Sequence, residues 1–201
     1  MGKIHVLPFE IANLIAAGEV VDRPASVIKE LAENAIDAGA TNVTIEIKRG
    51  GVTFMRVTDN GCGMSAEDMP TALRRHATSK IGKISDLDAI LTLGFRGEAL
   101  AAISSVAKVR ILSKTAADPM GAALECHGGE LLSLTEAGCP PGTTILVEEL
   151  FYNVPARRKF LKKDATEAAA CSAVAEKIAL SHPEIAIKYL SDGEVKFNTS
   201  G

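Results

Sequence analysis

A chain of 201 residues, 47% of them hydrophobic, can build one substantial core and the edge of a second domain. Its net charge of −3 excludes a polycation, so any nucleic-acid contact must come from a local patch. No apolar run approaches the roughly 18 residues of a membrane span, and the N-terminal MGKIHVLPFEIANLIAAGEVV, broken by polar and acidic residues, does not read as a signal peptide. Cys62, Cys126, Cys139 and Cys171 form no C-x-x-C pair and read as reduced thiols of a cytosolic protein.

Residues 8–18 have helical content between Pro8 and Gly18, and residues 1–19 read as an arm as easily as core. Pro24 suits the first turn of a helix that runs to about Ala38, with Gly39 as its stop. Within it, Glu30, Glu33, Asn34 and Asp37 fall on one stripe about 100° wide. Val27, Ile28, Leu31 and Ala35 lie on the other faces, so the stripe is either a solvated face or a site. VTIEIK (43–48) and VTFMRVTD (52–59) alternate as strands, joined through Arg49-Gly50-Gly51.

DNGCGM (59–64) follows the second strand. It is an ordinary Asp-Asn-Gly turn, or it sets the Asp59 carboxylate beside a close backbone approach that Gly61 and Gly63 permit. A carboxylate beside a flat slot suits the exocyclic amine of adenine. Ser65 and Asp68 resemble a capping box for a helix to about His76, although Pro70 pushes its start later. Residues 78–97 read as a long loop, and such loops often serve as lids. Gly94 and Gly97 flank Phe95-Arg96 before a small-residue helix at 98–106, an arrangement that suits an anion cradle. Strands follow near 107–114, 120–126, 130–136 and 143–149. FYNVPARRKFLKK (151–163) carries Arg157, Arg158, Lys159, Lys162 and Lys163, the one basic patch. It reads as a solvated loop and helix start, a DNA phosphate contact, or a loop ordered by dimerisation. A helix at 164–182 ends at Pro183, and a strand near 185–190 leads to a Gly193 turn. Helices and antiparallel strands are segregated, so the fold class is α+β.

Neither G-x-x-x-x-G-K-[ST] nor a G-x-G-x-x-G after a strand is present. The E-x-x-x-N helix, the D-x-G-x-G after a strand and the glycine-rich loop instead resemble the ATP site of the GHKL superfamily. IANLIAAGEVVDRPASVIKELAENAIDAGAT, DNGCGM, RRHATSKI, LGFRGEALAAISSV and FYNVPARRKFL, in this order, resemble the N-terminal ATPase domain of the MutL family of DNA mismatch repair proteins. The resemblance implies a two-layer α/β sandwich of Bergerat type, a mixed and mostly antiparallel sheet with helices on one face. It implies one domain over residues 1–201, with an arm at 1–19, an ATP lid at 78–97, and an end before the family's second, transducer domain.

The resemblance also implies roles. Glu30 matches the general base and Asn34 the Mg²⁺ ligand, with Asp37 supporting water or metal contacts around it. Asp59 matches the adenine reader, with Gly61 and Gly63 shaping its slot and Thr144 beside it. Thr78, Ser79 and Lys80 match the lid and its phosphate contacts. Arg96, Gly97, Ala99 and Leu100 match the turn whose N–H groups hold phosphates. The implied cofactors are ATP and Mg²⁺. The implied partners are a second subunit of the same type, a MutS-type mismatch-recognition protein, and DNA bound weakly and without sequence preference. The implied location is the bacterial cytoplasm, or the nucleus for a eukaryotic source. A rival reading is a nucleotide-gated interaction module with negligible turnover; another is a different GHKL ATPase.

Overall fold

The computed structural model describes residues 6, 17, 20–80, 83, 92–94 and 97–201. The expected arm at 1–19 therefore lies outside the described residues except at two positions, as does Arg96 and most of 81–91.

Helix α1 spans Pro24–Asp37. Arg23 enters it in an extended conformation and Pro24 occupies its first turn, where a missing N–H costs nothing. It ends as its glycine requires: Gly39 has φ 74°, its N–H reaches the Ile36 carbonyl, and the Ala40 N–H reaches that of Ala35. Pro24, Ala25, Val27, Ile28, Leu31, Ala32 and Ala35 are buried.

The strands are β1 Asn42–Lys48, β2 Phe54–Asp59, β3 Lys108–Lys114, β4 Gly121–His127, β5 Glu130–Ala137, β6 Gly142–Glu148, β7 Ala186–Ser191 and β8 Glu194–Asn198. They form one eight-stranded sheet in the order β5-β4-β3-β6-β2-β1-β7-β8. Among the described residues only the β1–β7 pair is parallel. The other helices among the described residues are α2 Asp68–Ala72, α3 Ala99–Val106, α4 Pro155–Arg158 and α5 Asp164–Ser181.

Alternation places Ile45, Val57, Ile111, Ile145 and Val147 on the buried face, in one core with α1, α3 and α5. The other face carries half-exposed Thr44, Thr58 and Thr144, and the ion pair of Arg56 with Glu46. This is the expected mixed, mostly antiparallel sheet with helices on one face.

Several local expectations change. The segment between β1 and β2 is a 3₁₀ turn at Arg49–Gly51, so β2 begins at Phe54 rather than residue 52. Gly50 has φ 68°, and a Cβ there would lie 2.5 Å from the Asp164 carbonyl. The helix expected to reach His76 is only Asp68–Ala72. The Ser65 hydroxyl does accept the Asp68 N–H at 3.1 Å, but Pro70 removes a donor and His76 turns to φ 63°. Strand β8 and the four-residue α4 were not anticipated. β8 is a short edge strand whose turn, Asp192-Gly193, has positive φ at both residues.

Candidate functional site

The polar stripe of α1 is not a solvated face. Glu30, Glu33, Asn34 and Asp37 are all half-buried, and the Asp37 side chain retains only 5% of its exposure. Residues from the 78–97 segment cover its C-terminal end. Lys80 Nζ donates to Asn34 Oδ1 at 3.0 Å and to Asp37 Oδ2 at 2.6 Å. The Leu93 N–H donates to Asp37 Oδ1 at 2.9 Å, and the Gly94 N–H to Asp37 Oδ2 at 3.0 Å. Burial pushes the Asp37 carboxyl up, but the Lys80 ammonium and the Gly94 and Leu93 N–H groups outweigh it and hold the pKa below the ordinary range. Asp37, expected to support water or metal, is thus committed to Lys80 and to two backbone amides. Those amides had no signal in the sequence, because a backbone donor carries no residue code.

Glu30 sits one turn before Asn34. Its carboxyl lies above the ordinary range, chiefly through burial and with a contribution from Glu33, against the opposing Lys29 and Lys80 charges. Lys29 bridges to Glu33 at 2.8 Å and stands 3.7 Å from Glu30. Glu30 is therefore a half-buried carboxylate with raised basicity, and Glu33 is the acid that its neighbouring lysine occupies.

At the C-terminal end of α1 lies the Asp59 turn. The Cys62 N–H donates to the Ala38 carbonyl at 2.9 Å, fastening turn to helix. The Gly61 N–H donates to Asp59 Oδ1 at 2.8 Å. Burial raises the Asp59 carboxyl, against the N–H groups of Gly61 and Thr143. The two glycines have a packing reason. A Cβ on Gly61 would lie 2.8 Å from Ala38, and one on Gly63, at φ 71°, would lie 2.0 Å from the Lys114 carbonyl. They let the turn press against α1 and β3 and so hold Asp59 in place.

The register revises the position of Thr144. Asp59 pairs with Thr143, while Thr144 pairs with Thr58 and shares a hydroxyl contact with it at 3.1 Å. Directly opposed residues share a face, so Thr143 lies on the Asp59 face and Thr144 on the other. Thr143 and Ser113 are buried with their hydroxyls 2.9 Å apart, and the Ser113 hydroxyl accepts the Met64 N–H at 2.8 Å.

Gly97 closes the site's third side. At φ 62°, a Cβ on it would lie 2.4 Å from the Ala77 carbonyl, so the start of α3 and the residue before Thr78 are in backbone contact. The Lys80 N–H donates to the Thr78 hydroxyl at 3.1 Å, forming a local turn, whereas Ser79 has no hydrogen bond described. No side chain caps α3. Glu98, which precedes it, instead faces Arg75 at 3.6 Å and His76 at 3.4 Å. The Ala99 and Leu100 N–H groups thus belong to an uncapped helix start, the geometry that favours an anion.

Among the described residues no group of three His, Cys, Asp or Glu side chains could hold a metal alone. Asn34 and Asp37 are hard oxygen donors. That pair suits a Mg²⁺ ion, which keeps waters and takes the rest of its octahedral shell from phosphates. The basic patch lies on the segment between β6 and α5. Arg158, Lys159, Lys162 and Lys163 are exposed, and Phe160 retains 87% of its exposure.

The chain is similar to known proteins in sequence and in fold. A family described as histidine kinase-, DNA gyrase B- and HSP90-like ATPase matches residues 22–128, more than half of the chain. The DNA mismatch repair protein MutL of Agathobacter rectalis is 52% identical over all 201 residues, and that of Caldanaerobacter subterraneus 51%. The chain spans about a third of the length of these relatives, 31% and 34%. The Aquifex aeolicus MutL ATPase domain complexed with ADP superposes with a TM-score of 0.76 at 33% identity, over 90% of this chain and 65% of that one.

Proposed function

From the premise that this chain belongs to the histidine kinase-, DNA gyrase B- and HSP90-like ATPase family, and is a domain of MutL type, we propose that it binds ATP with Mg²⁺ and hydrolyses it to ADP and phosphate. The observation that carries the reading is the covered stripe of α1, where a basic Glu30 stands one turn from Asn34 and Asp37.

Asp59 accepts the exocyclic amine of adenine, and the uncapped start of α3 receives the phosphates. Asn34 would hold Mg²⁺ through its amide oxygen, and the metal would supply positive charge to the phosphates. Glu30 takes the proton from the attacking water. A carboxyl held above its ordinary range binds that proton better. Lys80 supplies a positive charge on the phosphate side.

ATP binding shifts the chain toward a form that pairs with a second copy, with residues 1–19 as the arm and 78–97 as the lid. Hydrolysis resets it. In the whole protein this switch would link a MutS-type recognition protein and DNA to later repair, in the bacterial cytoplasm. Among the described residues no helix is long and apolar enough to cross a membrane.

The test is a calorimetric titration with ATP, ADP and a non-hydrolysable analogue, with and without Mg²⁺, beside a phosphate-release assay. Adenine-specific binding and release lost in Glu30→Ala support the reading. Binding without release, unchanged by Glu30→Ala, would make the chain a nucleotide-gated module instead.

A further inference from the structure

The amide oxygen assigned to the metal is already held by an ammonium group. Lys80 Nζ lies 3.0 Å from Asn34 Oδ1 and 2.6 Å from Asp37 Oδ2, with the Lys80 side chain only 20% exposed. Asp37 is fixed in turn by the Leu93 and Gly94 N–H groups. A Cβ on Gly94 would lie 3.3 Å from Lys80 Nζ and 3.6 Å from Asn34 Oδ1, so the residue 94 backbone packs directly over the cluster. This is a fitted seat for one cation. We propose that Lys80 is an exchangeable internal cation, which competes with a divalent metal ion for Asn34 and Asp37 and leaves when the metal binds.

The argument rests on the assignment of Asn34 as a metal ligand, and then on charge and distance. A Mg²⁺ ion held by Asn34 Oδ1 would stand about 2.1 Å from it. An ammonium 3.0 Å from the same oxygen would then share a half-buried seat with a double positive charge, and one carboxylate cannot neutralise both. Screening is weak there, so the two cannot coexist. Lysine suits the exchange because its charge is a single point on a flexible stem, free to swing toward phosphates once displaced. The Lys80 seat therefore weakens metal binding to the bare chain and ties metal arrival to the release of a phosphate-binding charge.

The probe is Mn²⁺ alone, followed by the loss of its free electron paramagnetic resonance signal, with no nucleotide present. Lys80→Met keeps the length and removes the charge, and should bind Mn²⁺ about 10-fold or more tightly than the parent. Lys80→Arg should bind as weakly as the parent, and Asn34→Ala added to Lys80→Met should abolish the gain. Equal Mn²⁺ affinity in the parent and Lys80→Met would overturn the proposal. The parent chain offers a second measurement that needs no variant. Acetic anhydride should label Lys80 several-fold faster when Mn²⁺ is added, and an unchanged rate would overturn the exchange. Neither readout involves ATP. Adenine-nucleotide binding with no Lys80 exchange would refute this proposal alone, whereas exchange without nucleotide binding would refute the nucleotide reading alone.

Discussion

Helices α1 and α5 pack on the same face of the sheet, and each buries a carboxylate, yet they use it differently. In α5, Glu167 is 1% exposed and is met by the Arg23 guanidinium at 3.1 Å and the Lys162 N–H at 2.9 Å. Both oxygens face Arg23, through its Nε and Nη2. The contact ties the entrance of α1 to the start of α5, and the pair has the two-pronged geometry of a structural clamp. In α1, Glu30 has no such clamp, and its pKa is raised; Asp37 is satisfied by a lysine and two amides from a distant loop segment. Burial of an acid thus does not mark a site by itself. The difference between the two helices is that Glu30 has its pKa raised by burial, whereas Glu167 is held by a guanidinium on both oxygens.

The largest expected effect sharpens the α5 side of this contrast. Arg23→Leu leaves Glu167 buried without its guanidinium and should cost about 3 kcal/mol of stability. Urea unfolding measures that loss, while the nucleotide affinity of the folded chain should be unchanged. A variant of normal stability with altered affinity would erase the contrast.

The α1 side should respond the other way. Glu30→Gln should lower turnover by about 10²-fold or more, the usual worth of a positioned base, with affinity retained. Its stability should rise, because a carboxyl with a raised pKa destabilises the folded chain once ionised, and the amide removes that burden. Phosphate release and thermal unfolding in parallel decide both points.

Asp59→Asn carries the contrast to the strand end. Losing a charge-assisted hydrogen bond should weaken adenine-nucleotide binding by about 1.5–3 kcal/mol, with a smaller change for GTP. Equal losses for the two nucleotides would mean that Asp59 does not read the base.

The smallest effect lies in the pH dependence. Asp37 has a lowered pKa in the folded chain. Its stabilisation is therefore complete above the unfolded value, near pH 4, and is lost as the pH falls through the lower folded value. Asp37→Asn should flatten stability below about pH 4. An acid limb that is unchanged in unfolding curves would show that Lys80 and the two amides do not act through this carboxylate.

How far the sequence could be read follows from the range of each interaction. Helix α1 was legible because Pro24, the apolar spacing and Gly39 all act within a turn of one another. The strands from β1 to β6 were legible because alternation is local, and the Asp59 turn because glycines mark close approach. Strand β8 was missed because it is short and lies at the edge, where one-sided pairing leaves little pattern.

The sequence by itself determined that α1 bears one polar stripe, that an acid ends β2, and that a glycine-flanked turn precedes α3. Those features depend on residue type and spacing along a single element. Only the tertiary structure decided what each polar group meets. Sheet register set Thr143 rather than Thr144 beside Asp59, because a one-residue step reverses the face. Chain folding brought Lys80, 43 residues away in sequence, and the backbone of residues 93 and 94 onto Asp37. Contacts between distant segments, and above all contacts made by backbone N–H groups, leave no periodic trace along the chain, so they exist only once the helices have packed on the sheet.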